Sequence, residues 1–390
     1  MKTNSFRIVA KDAKTRARRG ILYTSHGKIH TPSYIIVATH AKIKCLQPSD
    51  IKKTKTQAVI ANTYHLWDKA IKNKKDKHLV HTLLRTKIPI MTDSGGFQVF
   101  SFGAAKEHNV GKVLKNHSRR KPGENKLIKI TDKGVYFLLD GKKRFLSPEL
   151  SIQIQEKLGA DIIFTFDECT SPLHNQKYNK TAMERTHHWA KKCLAVKTRK
   201  DQMLFGIVQG GIYQSLRKKS AQIIGAFPFD GFGIGGSFGE KEMIQTLKTI
   251  IPYLPEEKPR HLLGIGKIKD IFNAVEQGID LFDCVIPTRE ARHGRIWTNK
   301  GAYDIRKTKY SKSRYAVERS CGCPICQKKF TQAKLHQLFK TKNPSAGRFA
   351  TIHNVWFFNN LLEKIRTSIE HGKFLQFKQG FLRRLTEDLR

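Results

Sequence analysis

Short apolar runs alternate with longer stretches of helical period along most of the 390-residue chain. Runs of strand length fall at 58–61, 88–92, 161–166, 204–208, 232–234, 261–263 and 279–282. Between the later runs the apolar spacing turns helical. One helix is predicted to open at Ser147-Pro-Glu, which supplies an N-cap, a proline at the first position and an early acid. It carries Ile152, Ile154 and Leu158 and stops at Gly159. Further helices are predicted over 180–197, 213–224, 240–253 and 268–277. Strands alternating with helices argue for a parallel sheet.

The apolar runs end in polar residues or glycine: Asn62, Asp93, Asp167, Gln209, Gly235-Gly236, Gly264 and Asp283. A (β/α)8 barrel gathers such ends on its C-terminal rim, whereas an open doubly wound sheet collects them only at its switch point. Seven ends favour the barrel. Two segments break the plan. Residues 106–129 are basic and poor in apolar residues and read as a surface loop; residues 303–349 are basic and hold three close cysteines. No internal repeat beyond the strand–helix plan is visible.

Composition narrows the class. Hydrophobic residues make up 39% of the chain, which excludes full disorder. No apolar run reaches the roughly 18 residues of a membrane span, and the first residues lack a signal-type apolar stretch. A cytoplasmic protein without a membrane partner is expected. Lys and Arg total 73 against 32 Asp and Glu, a formal charge of +41. Such an excess attracts polyanions, nucleic acid first, although many of the lysines also read as solvated helix faces.

Seven cysteines, an odd number with a tight trio, make a poor disulfide framework and suit a reducing compartment with one metal site. Cys321-Gly-Cys-Pro-Ile-Cys326 offers three thiolates at C-x-C-x2-C spacing. His336 and His353 are both candidates for the fourth ligand. A closed Cys3His set is a structural zinc site; iron–sulfur ligation is less favoured because no fourth cysteine lies nearby.

The carboxylates point to glycosyl chemistry. Asp93 lies in Met91-Thr-Asp-Ser-Gly-Gly-Phe-Gln98 and Asp283 in Leu281-Phe-Asp-Cys-Val-Ile-Pro287. A barrel would bring both to one rim. Two carboxylates about an anomeric carbon divide one difficult displacement into two easier ones. Asp167-Glu168 and Gln209 add groups able to read the edge of a purine-like base.

At these residues the sequence closely resembles the tRNA-guanine transglycosylase (queuine tRNA-ribosyltransferase) family, bacterial type. The likeness runs through Arg16-Ala-Arg-Arg-Gly20, Asn62-Thr-Tyr-His-Leu66, Thr92-Asp-Ser-Gly-Gly-Phe-Gln-Val99 and Phe166-Asp-Glu-Cys-Thr170. It continues through Gly206-Ile-Val-Gln-Gly-Gly211, Phe282-Asp-Cys-Val-Ile-Pro-Thr-Arg289, the cysteine trio and His353-Asn354. The resemblance implies an α/β fold, a (β/α)8 TIM barrel with a C-terminal zinc-binding subdomain. The expected division is a catalytic barrel over 1–302 with a basic insertion at about 104–129, a zinc subdomain over 303–353, and a helical segment over 354–390 packing back on the barrel.

It further implies a pentosyltransferase that exchanges the wobble guanine of tRNA for a 7-deazaguanine. Asp283 would be the nucleophile and Asp93 the general acid/base. Asp167, Gln209 and the backbone of Gly235 and Gly236 would read the base, which stacks between Phe97 and Leu263. Arg289 and Arg292 match positions that hold the anticodon. Cys321, Cys323, Cys326 and His353 match the zinc ligands, which selects His353 over His336. Bacterial members are homodimers, and no redox cofactor is needed.

This chain departs from the pattern in three places. The loop Gly235-Gly-Ser-Phe-Gly-Glu240 is one residue shorter than the usual bacterial form, which bears on whether 7-aminomethyl-7-deazaguanine or the larger queuine is accepted. Phe97 stands where many relatives carry tyrosine. The basic insertion after Gly103 lengthens a strand-end loop. The chain ends at Arg390 without the RNA-binding domains of archaeal relatives, which favours wobble chemistry. Two rival readings are a barrel glycosidase acting on a free sugar or nucleoside, which would not need the positive charge, and a non-catalytic tRNA-binding accessory subunit, which would not need both aspartates.

Overall fold

The structure, a computed structural model, describes residues 4–96, 128–139, 142–236 and 239–387. Phe97, Phe238 and all but the last two residues of the expected insertion lie outside them. Residues 128 and 129 open a strand, Ile128–Thr131, rather than ending a loop.

Eight parallel strands close into a barrel in chain order: β1 (Ser33–Ala38), β2 (Val59–Ala61), β3 (Ile90–Thr92), β4 (Ile162–Phe164), β5 (Met203–Val208), β6 (Gly231–Ile234), β7 (Arg260–Leu262) and β8 (Leu281–Cys284). The expected (β/α)8 architecture is therefore present. β2 to β8 answer the seven apolar runs, each shifted by at most a few residues. β1 was not anticipated. It pairs with β8 in the register Leu281↔Ser33 to Cys284↔Ile36, closing the sheet. β2 to β7 are buried along their whole length, which explains why they read as continuous apolar runs rather than alternating ones.

The chain divides into two compact units. The first comprises Met1–Ser5, Ala61–Thr82 and Ile90–Leu263. It contains β3 to β7, an antiparallel sheet (Ile128–Thr131, Gly134–Leu139, Lys142–Leu146) and the helices that follow the strands. Phe164, Phe205 and Phe232 fill its core at 1% exposure or less, each burial worth about 2 kcal/mol. The helix Pro148–Leu158 forms as its sequence dictates. Ser147 Oγ accepts from Leu150 N at 3.1 Å, and Gly159 ends the helix at φ +72°, where a β-carbon would also strike the Lys77 carbonyl.

The second unit comprises Phe6–Ile60, Leu83–Pro89 and Gly264–Arg390. It holds β8, β1, a hairpin of Arg295–Thr298 with Gly301–Asp304, and the helices Pro324–Gln327, Gln332–Lys340, Pro344–Glu370 and Phe374–Glu387. The 27-residue helix Pro344–Glu370 is its spine. Asn343 caps it by accepting from Ser345 N. Asn354 on this helix accepts from Trp297 N at 3.0 Å and donates to Arg295 O at 2.9 Å. Further along, Phe358 packs on Tyr34 of β1 with ring centroids 5.2 Å apart, and Arg366 Nη1 donates to Pro32 O at 2.7 Å.

Candidate active site and metal centre

In the first unit Asp93 follows β3 directly, and the residues after β2 fix its carboxylate. Asn62 caps the helix Thr63–Lys72 by accepting from His65 N, and its Nδ2 donates to Asp93 Oδ2 at 2.5 Å. Thr63 N and Gly95 N donate to Oδ1 at 2.9 and 3.1 Å. The carboxylate is half-buried and its orientation is set by three donors.

Asp167 and Gln209 meet in the same unit. Gln209 Nε2 donates to Asp167 Oδ2 at 2.7 Å, and Ser94 Oγ approaches Oδ1 at 3.4 Å. Both side chains are buried, and burial pushes the Asp167 carboxyl up to about 6 against the pull of these two donors. Gly235 closes the group: a β-carbon there would collide with Gln209 Nε2, so only glycine lets the β6 end pass this close. Gly236 follows at φ +129°, and Leu263, at the end of β7, is half-buried. The structure thus brings Asp167, Gln209 and Gly235 together.

In the second unit Asp283 lies within β8, half-buried, and its Oδ1 accepts from Gly264 N at 3.1 Å. Tyr34 hydroxyl donates to Cys284 O at 3.3 Å; burial, then the nearby Cys284 and Asp283, hold its phenol protonated. The helix Ile286–Arg292 follows and carries Arg289 and Arg292, both half-buried. Burial lowers the pKa of Arg292.

The candidate metal centre is closed. Cys321, Cys323, Cys326 and His353 are all buried, and their ligand atoms lie within 4.8 Å of one another. Cys323 N donates to Cys321 Sγ and Cys326 N to Cys323 Sγ, both at 3.4 Å, which turns the thiols inward. His353 Nε2 faces the Trp297 carbonyl at 2.8 Å, leaving Nδ1 toward the sulfurs at 3.5–3.7 Å. That outer hydrogen bond is how metal-bound imidazoles are usually oriented. His336 instead faces Ile305 O at 2.8 Å and is no part of the set. Three thiols and one imidazole in this arrangement fit a zinc site. All seven cysteines are free of disulfides.

The sequence model described as "Queuine tRNA-ribosyltransferase" matches residues 12–387. The chain belongs to this family. A relative from Archaeoglobus fulgidus is 43% identical over 97% of this chain and 98% of its own length. Proteins named queuine tRNA-ribosyltransferase from Halothermothrix orenii and Francisella tularensis subsp. novicida are each 39% identical, covering 97% and 98% of this chain and 97% and 99% of their own lengths. Among the described residues no helix is long and apolar enough to cross a membrane.

Three residues that brace these groups were not singled out from the sequence: Thr63 beside Asp93, Ser94 beside Asp167, and Arg217, which donates to Gly235 O. For Arg217 a signal existed, since it falls on the apolar stripe of its helix, where a charged residue is out of pattern.

Proposed function

We propose that this chain is a tRNA-guanine transglycosylase that exchanges the wobble guanine of an anticodon for a 7-deazaguanine by double displacement. The observation that carries this reading is that Asp93 and Asp283 each occupy the C-terminal end of a strand in one closed parallel barrel, the position from which such barrels act.

In the first displacement a carboxylate oxygen of Asp283 attacks C1′ of the nucleoside. The bond from C1′ to guanine N9 breaks, and Asp93 gives the departing base a proton. A ribosyl ester on Asp283 remains. Asp93, now ionised, takes the N9 proton of the incoming base, which attacks C1′ and releases Asp283. One glycosidic bond replaces another, so no redox partner enters. The base must leave the anticodon stack first, at a cost of about a few kcal/mol, least for a loop nucleotide.

Asp167 and Gln209 read the edge of the base, with the backbone of Gly235 and Gly236. Leu263 and Phe97 are its stacking faces. Arg289 and Arg292 engage the anticodon strand, and the +41 charge supplies affinity that ignores sequence. Zinc held by Cys321, Cys323, Cys326 and His353 would cross-link that segment to the long helix and takes no part in the chemistry. The working form is a cytoplasmic homodimer, and the incoming base is a 7-deazaguanine, either 7-aminomethyl-7-deazaguanine or queuine.

The test is release of labelled guanine from the wobble position of tRNA when each candidate base is added. Release driven by either base supports the reading and identifies the substrate. No release with any base, together with undiminished tRNA binding, identifies an accessory subunit instead.

A further inference from the structure

The helix Gln214–Gly225 buries Leu216, Arg217, Ser220, Ala221 and Ile224 along one face. Four of these are small or apolar. Arg217 is 0% exposed, an expensive place for a guanidinium unless its donors are used well. Two of its nitrogens, Nε and Nη1, are aimed at backbone carbonyls. Nε donates to Gly211 O at 2.8 Å; Nη1 donates to Val208 O at 3.1 Å and to Gly235 O at 2.7 Å. These oxygens lie at the end of β5, in the loop after it and at the end of β6. Burial pulls the guanidinium down to about 9, so it stays cationic at neutral pH.

We propose that Arg217 is a positioning residue for the base pocket, a bracket that holds the Gly235 peptide against the Gln209 amide. The coupling runs through contacts. Gly235 abuts Gln209 Nε2, and Gln209 Nε2 donates to Asp167. Ser220, one turn beyond Arg217, accepts from Gln209 N at 3.2 Å through its Oγ. One helix thus fixes both the backbone of Gln209 and the peptide its side chain touches. A lysine could not do the same, because its ammonium lacks the planar fork that spans separate carbonyls.

This inference rests on the assignment of Asp167, Gln209 and Gly235 to the incoming base. The test is steady-state guanine exchange into tRNA by Arg217→Lys, Arg217→Met and Asp167→Asn, with KM for guanine, KM for tRNA and kcat measured separately. Arg217→Lys is expected to raise the guanine KM about tenfold, with kcat within about threefold of wild type and tRNA KM unchanged. Arg217→Met is expected to raise it further. A lower kcat at unchanged guanine KM in Arg217→Lys overturns the proposal, because loss of folded enzyme reduces only the number of working sites. Should Arg217→Met not fold, Arg217→Lys alone decides. An unchanged guanine KM in Asp167→Asn defeats the pocket assignment itself; a raised one there beside an unchanged one in Arg217→Lys defeats only the bracket.

Discussion

Replacing Asp167 with asparagine sets folding against recognition. The carboxylate is 6% exposed, and burial raises its pKa from the ordinary 3.8 to about 6 even though Gln209 and Ser94 donate to it. At pH 7.5 it is ionised at a cost to the folded state, and a rise of about two units corresponds to about 3 kcal/mol. Because the folded pKa lies above the unfolded one, the side chain's contribution to stability is full below about pH 4 and is lost as pH rises through 6. Asparagine is nearly the same shape, still accepts from Gln209 and carries no charge. The variant should therefore be more stable at pH 7.5, by up to about 3 kcal/mol, and the advantage should shrink at pH 5. Base binding should move the other way. A carboxylate accepts from two donors of a guanine edge; an amide accepts with one atom and opposes the base with the other. Losing a charge-assisted hydrogen bond costs roughly 1.5–3 kcal/mol, so the guanine KM should rise about 10- to 150-fold. Thermal denaturation at the two pH values and guanine-exchange kinetics at pH 7.5 give both numbers. A variant that melts lower at pH 7.5 and keeps its guanine KM would refute the reasoning and leave Asp167 a structural acid.

Asp283→Ala should abolish the tRNA adduct that survives denaturing electrophoresis; a persisting adduct would move the nucleophile elsewhere. Asp93→Asn should slow base exchange by about 10²–10⁴ while tRNA affinity stays within a few-fold, since a proton carrier matters to the displacement and not to docking. A large loss of affinity would mark Asp93 as a binding residue. Cys323→Ala should remove the bound zinc, read by elemental analysis, and lower the melting temperature; unchanged metal content rejects the site.

The barrel was legible because β2 to β7 are buried along their length and the ends of β2 to β8 are chemically unusual. The helix Pro148–Leu158 could be bounded to the residue, since Ser147 and Gly159 act through local geometry alone. β1 escaped notice because Ser33–Ala38 ends in no acid, amide or paired glycine and leads into no helix of clear period. The carboxylates stood out for the opposite reason, each closing an apolar run. Their supports Thr63 and Ser94 did not, because they act through a backbone group and a hydroxyl that many sequence positions could offer. The choice between His336 and His353 needed either the family likeness or coordinates. Both lie on helices and both are buried, and only the fold decides which ring faces the sulfurs.

One rod, Pro344–Glu370, carries His353 and then, within about 20 Å, the ring and the guanidinium that brace β1. Because β1 is the ladder neighbour of β8, slackness at the cluster of three cysteines and His353 would arrive at the segment bearing Asp283.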